Sequence, residues 1–295
     1  MIVTVMIWGG TYVAGRSIEP ALDNVVTSFV RMVMAFVVLL ALCRASGVKL
    51  LPISRKLLIL QFLLGLTGVF MYTVFFHKGI QTVPGGRASV IINTNPLMIT
   101  LVAALFLGEK LTPLKVIGVL LSAFGAFYVV SNGHLSAFLS DKISFGDVYM
   151  FAAAMSWASF GLLGKVAMGH GMQPLASITW SVFFGMLLLL PISLLTGHMG
   201  QITHYRLDDW LSIAYLGVFS TVGGFVFFYK IIYRVGATRA GVICCAIPIA
   251  AITLTALFLN ESVTIPLLIG AAITVVGIFL VNYAPKHRIS MGLKS

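Results

Sequence analysis

The chain carries little charge, and that charge is one-sided. Of 295 residues only 8 are Asp or Glu against 19 Lys and Arg, and charged residues make up 9% of the whole. Soluble domains carry about 25%. With 59% hydrophobic residues and a mean hydropathy of +1.05, there is too little polar surface to coat a water-soluble fold. A soluble domain is therefore excluded and the bilayer is the solvent, in which only helices and closed barrels satisfy their backbone groups. Long unbroken apolar runs, not ten-residue alternation, select helices. Cysteine is scarce too. Cys43, Cys244 and Cys245 build no disulfide framework, and the adjacent pair lacks metal-ligand spacing. No metal site and no cofactor are expected. No basic segment precedes the first apolar run and no small-residue cleavage site follows it, so no secretory signal is read. The acidic residues form no mid-membrane pair, and Asp208-Asp209 reads as a solvated loop end. A membrane transferase would need such a pair or a histidine cluster, so no catalytic residue is assigned. With no Walker motif the chain does not hydrolyse ATP.

What is present is a set of apolar spans. Ten are expected, at about 1–18, 24–43, 57–77, 85–107, 112–130, 146–166, 175–195, 210–229, 239–259 and 264–283. The first has fifteen residues before Arg16, short of the roughly 17–25 of a full span. Either it begins at Met1 or the natural start lies upstream.

The spans repeat. ALFLGEKLT at 104–112 returns as ALFLNESVT at 256–264, an offset of 152 residues. The same offset superposes Gly65 on Gly217, Phe75-Phe76 on Phe227-Phe228, Pro96 on Pro248, Glu109 on Glu261, and Gly118 and Gly125 on Gly270 and Gly277. A duplication of this kind sets the architecture before any local reading. The expected partition is a first repeat over 1–130, a connection over 131–145, a second repeat over 146–283 and a tail over 284–295. Five helices per repeat is an odd number, so the second copy enters the membrane from the other side. Inverted repeats are an architecture of alternating-access transporters, with the substrate site near the midplane.

Basic residues set the orientation. The side of the second-to-third loop carries 13 Lys and Arg, the opposite side 5, and Arg31 lies inside a helix. The richer side is cytoplasmic, with both termini inside. The net charge of +11 is spread over these short loops, which argues against a nucleic-acid partner.

The IWGGTYVAGR opening, Arg31, and LFLGEKLTPLKVIG in the first half are followed by SWASFGLLGK, IPIA and LFLNESVTIPLLIG in the second. In this order, and duplicated, they resemble the drug/metabolite transporter superfamily, with the ten-helix EamA family the nearest. The resemblance covers nearly the whole chain. It implies an all-α polytopic protein of two inverted five-helix repeats that exports amino acids or other small metabolites across the bacterial inner membrane. Its partners would be a small-molecule substrate and the lipid bilayer, and a monomer is expected. Asn260 departs from the glycine the family usually has before the glutamate.

Residues shared by both halves read first as scaffold. Glu109 and Glu261 lie near the next helix N-terminus, where a carboxylate suits the dipole and the free amides; proton coupling is the alternative. Pro96 and Pro248 fall about halfway through the fourth and ninth helices and are expected to bend them as hinges. Trp8 and Trp157, symmetric at an offset of 149, lie near mid-span although tryptophan favours interfaces. They read as cavity walls or as core packing.

Residues present in one half only should read the substrate. Arg31 is a charge about seven residues into the second helix, costing at least about 2.5 kcal/mol there. It lines the cavity or snorkels to the headgroups. Tyr72 and Phe76 share a helix face, with His77 at the outer end of that helix as a pocket residue or an amphipathic end group. Asn93 and Asn95 precede Pro96 and serve a polar pocket or interhelical hydrogen bonds. Tyr12 and Phe160, one turn from the two tryptophans, complete an aromatic lining. No carboxylate sits at the centre of a span, which favours zwitterionic over cationic substrates. A proton-coupled multidrug exporter is the alternative.

Overall fold

The computed structural model describes residues 2–50, 54–95, 97–98, 112–133, 144–227 and 246–283. Regular structure among them is helical. In chain order the helices are α1 (Ile2–Ser17), α2 (Asn24–Ala45), α3 (Arg55–Ile80), α4 (Gly85–Ile92), α5 (Pro113–Val130), α6 (Phe145–Gly169), α7 (Pro174–Leu195), α8 (Leu207–Phe227), α9 (Ile247–Leu259) and α10 (Ile265–Tyr283). Six of them, α2, α3 and α5 to α8, are long and apolar enough to cross a bilayer; α9 and α10 are shorter apolar helices. Leu120, Leu195, Leu257 and Phe258 face outward, a surface that lipid suits and water does not.

Local chemistry sets the helix starts. Asp23 accepts from Val25 N and Val26 N, both at 2.9 Å. Ser144 and Asp147 form a capping box at α6. Thr112 accepts from Lys115 N at 3.4 Å and its repeat mate Thr264 from Leu267 N at 3.3 Å. The threonine that follows each repeated glutamate is therefore the cap of the next helix.

Packing obeys the duplication. The α3–α6 contact is mirrored by α8–α1, α3–α7 by α8–α2, and α4–α6 by α9–α1, while α2–α7 and α5–α10 are their own mates. The match extends to single atoms. A Cβ on Gly65 would lie 2.8 Å from Ser181 O, and a Cβ on Gly217 2.8 Å from Arg31 O. A glycine seam forms between α5 and α10, from the repeated pairs Gly118/Gly125 and Gly270/Gly277. A Cβ on Gly118 would meet Gly277 O at 2.7 Å, and one on Gly270 would meet Gly125 O at 2.7 Å. Contacts of Gly118 with 277 and of Gly133 with Pro266 make the two helices antiparallel. Repeat mates Thr112 and Thr264 thus sit at opposite ends of the pair, as an inverted duplication requires.

A feature not read from the sequence is a pair of π-helical stretches, Gly65–Met71 within α3 and Tyr215–Gly223 within α8. They are repeat mates. A π turn leaves carbonyls out of the i→i−4 ladder and is frequent at functional sites.

The ends of α1, α5 and α9 and the starts of α2, α4, α6, α8 and α10 share one end of the bundle. All six described carboxylates gather there. Arg87 binds the buried Asp147 through Nε to Oδ1 at 2.8 Å and Nη2 to Oδ2. Asp209 is buried rather than solvated, accepting from Glu19 N and Arg206 N, both at 3.0 Å; it is a clasp between two loops.

Pro248 occupies the first turn of α9, after Ala246 in turn geometry. There its missing N–H breaks no bond of α9; the earlier part of the expected ninth span, 239–245, lies outside the described residues. Pro96 and Glu109 lie outside the described residues, although the fourth span does break just before Pro96, at Asn93-Thr94. Glu261 serves a helix N-terminus, but not the adjacent one. Its carboxylate accepts from Gly85 N at 2.8 and 3.1 Å and pairs with Arg16 Nε at 3.2 Å, so it caps α4 in the other half. Asn260, before it, has φ 53°. Asparagine tolerates this left-handed conformation better than other side chains, which accounts for its standing where the resemblance expects glycine.

Candidate functional site

Six of the ten substrate-site residues expected from the sequence meet in one ring of aromatic side chains. Centroid distances run from Tyr12 to Phe76 at 5.8 Å, Phe76 to Tyr72 at 5.7 Å, Tyr72 to Trp157 at 4.9 Å and Trp157 to Phe225 at 5.4 Å. Phe225 reaches Trp8 at 6.3 Å, and Trp8 lies one turn from Tyr12 on α1, which closes the circuit. Phe160 fills the step between Trp157 and Phe225, at 5.3 and 5.9 Å. Four helices from both halves, α1, α3, α6 and α8, supply the ring. Each pair contributes about 0.5–1.5 kcal/mol beyond its buried area, so the ring also fastens the two halves together.

The ring is built on symmetric positions with asymmetric chemistry. Trp8 lies on Gly224, where a Cβ would run into its indole ring, whereas its mate Trp157 packs on Tyr72. Phe160 covers Gly68, whereas its mate Thr11 bonds Ser220 Oγ at 2.8 Å. One quadrant is therefore polar. The π stretch of α8 organises it. Ser220 O accepts the Trp8 indole N–H at 3.2 Å, and Thr221 Oγ1 donates to Leu216 O, five residues back, at 2.8 Å.

Arg31 completes this quadrant. It is buried, and Nη2 donates to Thr221 Oγ1 at 3.1 Å. Nε and Nη1 have no partner among the described residues. The guanidinium is thus turned into the protein and does not snorkel.

His77 is not an amphipathic end residue. It is 1% exposed, with Nδ1 2.9 Å from Ser28 Oγ and 3.1 Å from Thr73 O. Asn24 bonds Gln81 one turn further on, at 3.0 Å. A polar seam therefore runs between α2 and α3 from the Glu261 end inward to Arg31. Asn93 caps its own helix by donating to Ser89 O at 3.2 Å, a bond within α4 and not between helices. Asn95 Oδ1 has no partner among the described residues.

Sequence reasoning missed Phe225, Ser220 and Thr221. Phe225 could have been found: its repeat mate is Thr73, so it is a residue of one half only. The two hydroxyls could not, because the π turn that aims them has no sequence signature.

A cavity of about 410 Å³ opens at the Glu261 end, bounded by Arg16, Arg87, Asn132, Thr255 and Glu261. It lies apart from the ring, whose members pack on one another; Nε and Nη1 of Arg31, beside the ring, and Nε2 of Gln61, away from it, are buried donors without a partner among the described residues.

Comparison with known proteins places these features. Residues 1–131 and 144–283 match the EamA-like transporter family. An uncharacterized transporter of Archaeoglobus fulgidus is 27% identical, covering 97% of this chain and 96% of its own. The uncharacterized transporter YetK of Bacillus subtilis is 27% identical, covering 95% and 84%. A probable amino-acid metabolite efflux pump of Escherichia coli is 24% identical, covering 76% of each chain. One solved crystal structure superposes with a TM-score of 0.65 at 19% identity, covering 95% of this chain and 93% of that one; it supports the fold.

Proposed function

Because the chain belongs to the EamA-like transporter family, and is a multi-pass membrane protein, we propose that it exports amino acids or similar small zwitterionic metabolites across a bacterial inner membrane by alternating access. In this reading ten spans form two inverted five-helix repeats with both termini in the cytoplasm, and a monomer is the working unit. Substrate occupies the aromatic ring, with Trp8, Tyr12, Tyr72, Phe76, Trp157 and Phe160 against its apolar part and Arg31 against its carboxylate.

The observation that carries the reading is Arg31. A buried guanidinium with two donor atoms unpartnered among the described residues is costly unless something pairs with it. Within a membrane such a charge is a functional-site hypothesis by default. The amino-acid class draws support from the name of the Escherichia coli relative. No described carboxylate lies at the centre of a span, which counts against an exporter of cationic drugs and favours facilitated or weakly proton-linked movement.

The test is counterflow in proteoliposomes with a labelled pool of the twenty amino acids. Wild type should exchange at least one of them, and Trp157→Ala and Arg31→Gln should reduce exchange at least tenfold while remaining inserted and monodisperse. Wild-type exchange in both variants would remove the ring from the transport path.

A further inference from the structure

His77 carries an atom that the transport reading leaves unused. Its Nε2 is buried and has no partner among the described residues. The bonds at the other ring nitrogen decide what this atom can do. Thr73 O, 3.1 Å from Nδ1, can only accept. Ser28 Oγ donates its single hydrogen to Asn24 O at 2.6 Å, so toward Nδ1, at 2.9 Å, it too can only accept. An imidazole with one ring proton must therefore carry it on Nδ1, which makes Nε2 a bare lone pair. A buried acceptor of this kind requires a donor.

Arg31 stands beside it on the same polar seam. Ser28, which fixes the imidazole, lies three residues before Arg31 on α2, so the two side chains share a helix face. Two guanidinium donor atoms and one imidazole acceptor are thus left open along one buried seam, among the described residues. Arg31 accepts nothing and His77 Nε2 donates nothing. A simple carboxylate would satisfy the first and repel the second, while an amine would do the reverse.

We propose that His77 reads the amino group of the substrate. Resting on the assignment of the ring as the transport site, this narrows the ligand to one carrying a carboxylate and an N–H donor on the same carbon, as an α-amino acid does. Arg31 takes the carboxylate, and Nε2 of His77 accepts one ammonium N–H. The Ser28 and Thr73 acceptors act as positioning groups that hold the imidazole in the accepting tautomer.

The experiment compares three probes on purified protein by calorimetry: L-phenylalanine, 3-phenylpropanoate, which lacks the amino group, and 2-phenylethylamine, which lacks the carboxylate. Wild type should bind phenylalanine at least tenfold more tightly than either. His77→Phe keeps the bulk of the ring and removes the acceptor. It should weaken phenylalanine to the level of phenylpropanoate and leave phenylpropanoate unchanged. His77→Gln, which supplies an amide oxygen, should restore part of the preference and serves if the first variant does not fold. Arg31→Gln should instead erase the preference for phenylalanine over phenylethylamine. Equal wild-type affinity for phenylalanine and phenylpropanoate would overturn the inference, as would an unchanged ratio in both His77 variants or no binding of phenylalanine by wild type. Exchange lost in Trp157→Ala under any of these results would leave the ring as the transport site and retire only the role of His77.

Discussion

Replacing Glu261 with Gln keeps the size of the side chain and removes its charge at a junction between the halves. The carboxylate pairs with Arg16 and caps Gly85 N, and Arg16 continues to Ile80 O and Gln81 O at 3.3 and 3.0 Å. One residue of the 9–10 connection thereby ties down α1, the end of α3 and the start of α4. Hydrogen bonds to charged groups contribute about 1.5–3 kcal/mol and neutral ones about 0.5–1.5. The pair is only partly exposed, with side chains 30% and 14% accessible, so solvent screening is incomplete. Gln retains one acceptor, and a loss of about 1–2 kcal/mol is expected. If alternating access opens this end, that loss falls on the closed form alone and shifts the open-to-closed ratio about 5- to 30-fold. Thr255 lines the cavity at this end. Maleimide labelling of Thr255→Cys, with Cys43, Cys244 and Cys245 replaced by Ala, reads the shift as a rate. Labelling of the Glu261→Gln protein should be faster by that factor. Equal rates with and without the substitution would refute the claim that this ion pair holds the end closed.

Gly277→Ala should lower thermal stability by about 1–3 kcal/mol, because the new Cβ meets the backbone of Gly118 and Ser122; scanning fluorimetry in detergent would show it, and an unchanged midpoint would mean that α5 and α10 can part at no cost. Asp147→Asn leaves Arg87 half-buried without its charge partner and should destabilise by about 2–4 kcal/mol, measured the same way, whereas Asp208→Asn, in the adjacent but exposed position to the Asp209 clasp, should change little. Asn260→Gly should be neutral, but Asn260→Val should cost about 1–2 kcal/mol because of its left-handed backbone; equal midpoints for the two would contradict the φ of 53°. Ser54→Cys and Ser262→Cys, both exposed, should react with an impermeant reagent from opposite faces of intact cells, and labelling from one face would dispose of the inverted topology.

Much of this protein is written in one dimension. Low charge and long apolar runs force membrane helices, because an unpaired peptide group in hydrocarbon costs several kcal/mol. The 152-residue offset exposes the duplication, and the paired glycines announce the α5–α10 seam, because only a missing Cβ lets two backbones come so close. Helical spacing and the repeat offset group Tyr12, Tyr72, Phe76, Trp8, Trp157 and Phe160, and these rings do pack together. Other properties depend on what lies across the helix interface. Glu261 has a local helix start beside it, yet it caps Gly85 176 residues away; a carboxylate goes to whichever free amides tertiary packing brings within reach. His77 looks like an end residue until Ser28 and Thr73 close on Nδ1, and Phe225 looks like lipid-facing bulk until it meets two tryptophans. The π stretches in α3 and α8 have no composition of their own, and only the folded helices reveal them. Sequence therefore determines which residues are buried in the membrane and which are repeated, because hydropathy and periodicity act locally. Tertiary structure decides which polar atoms find partners and which, like Nε of Arg31 and Nε2 of His77, find none among the described residues, because satisfaction of a buried donor or acceptor is settled by neighbours distant in the chain.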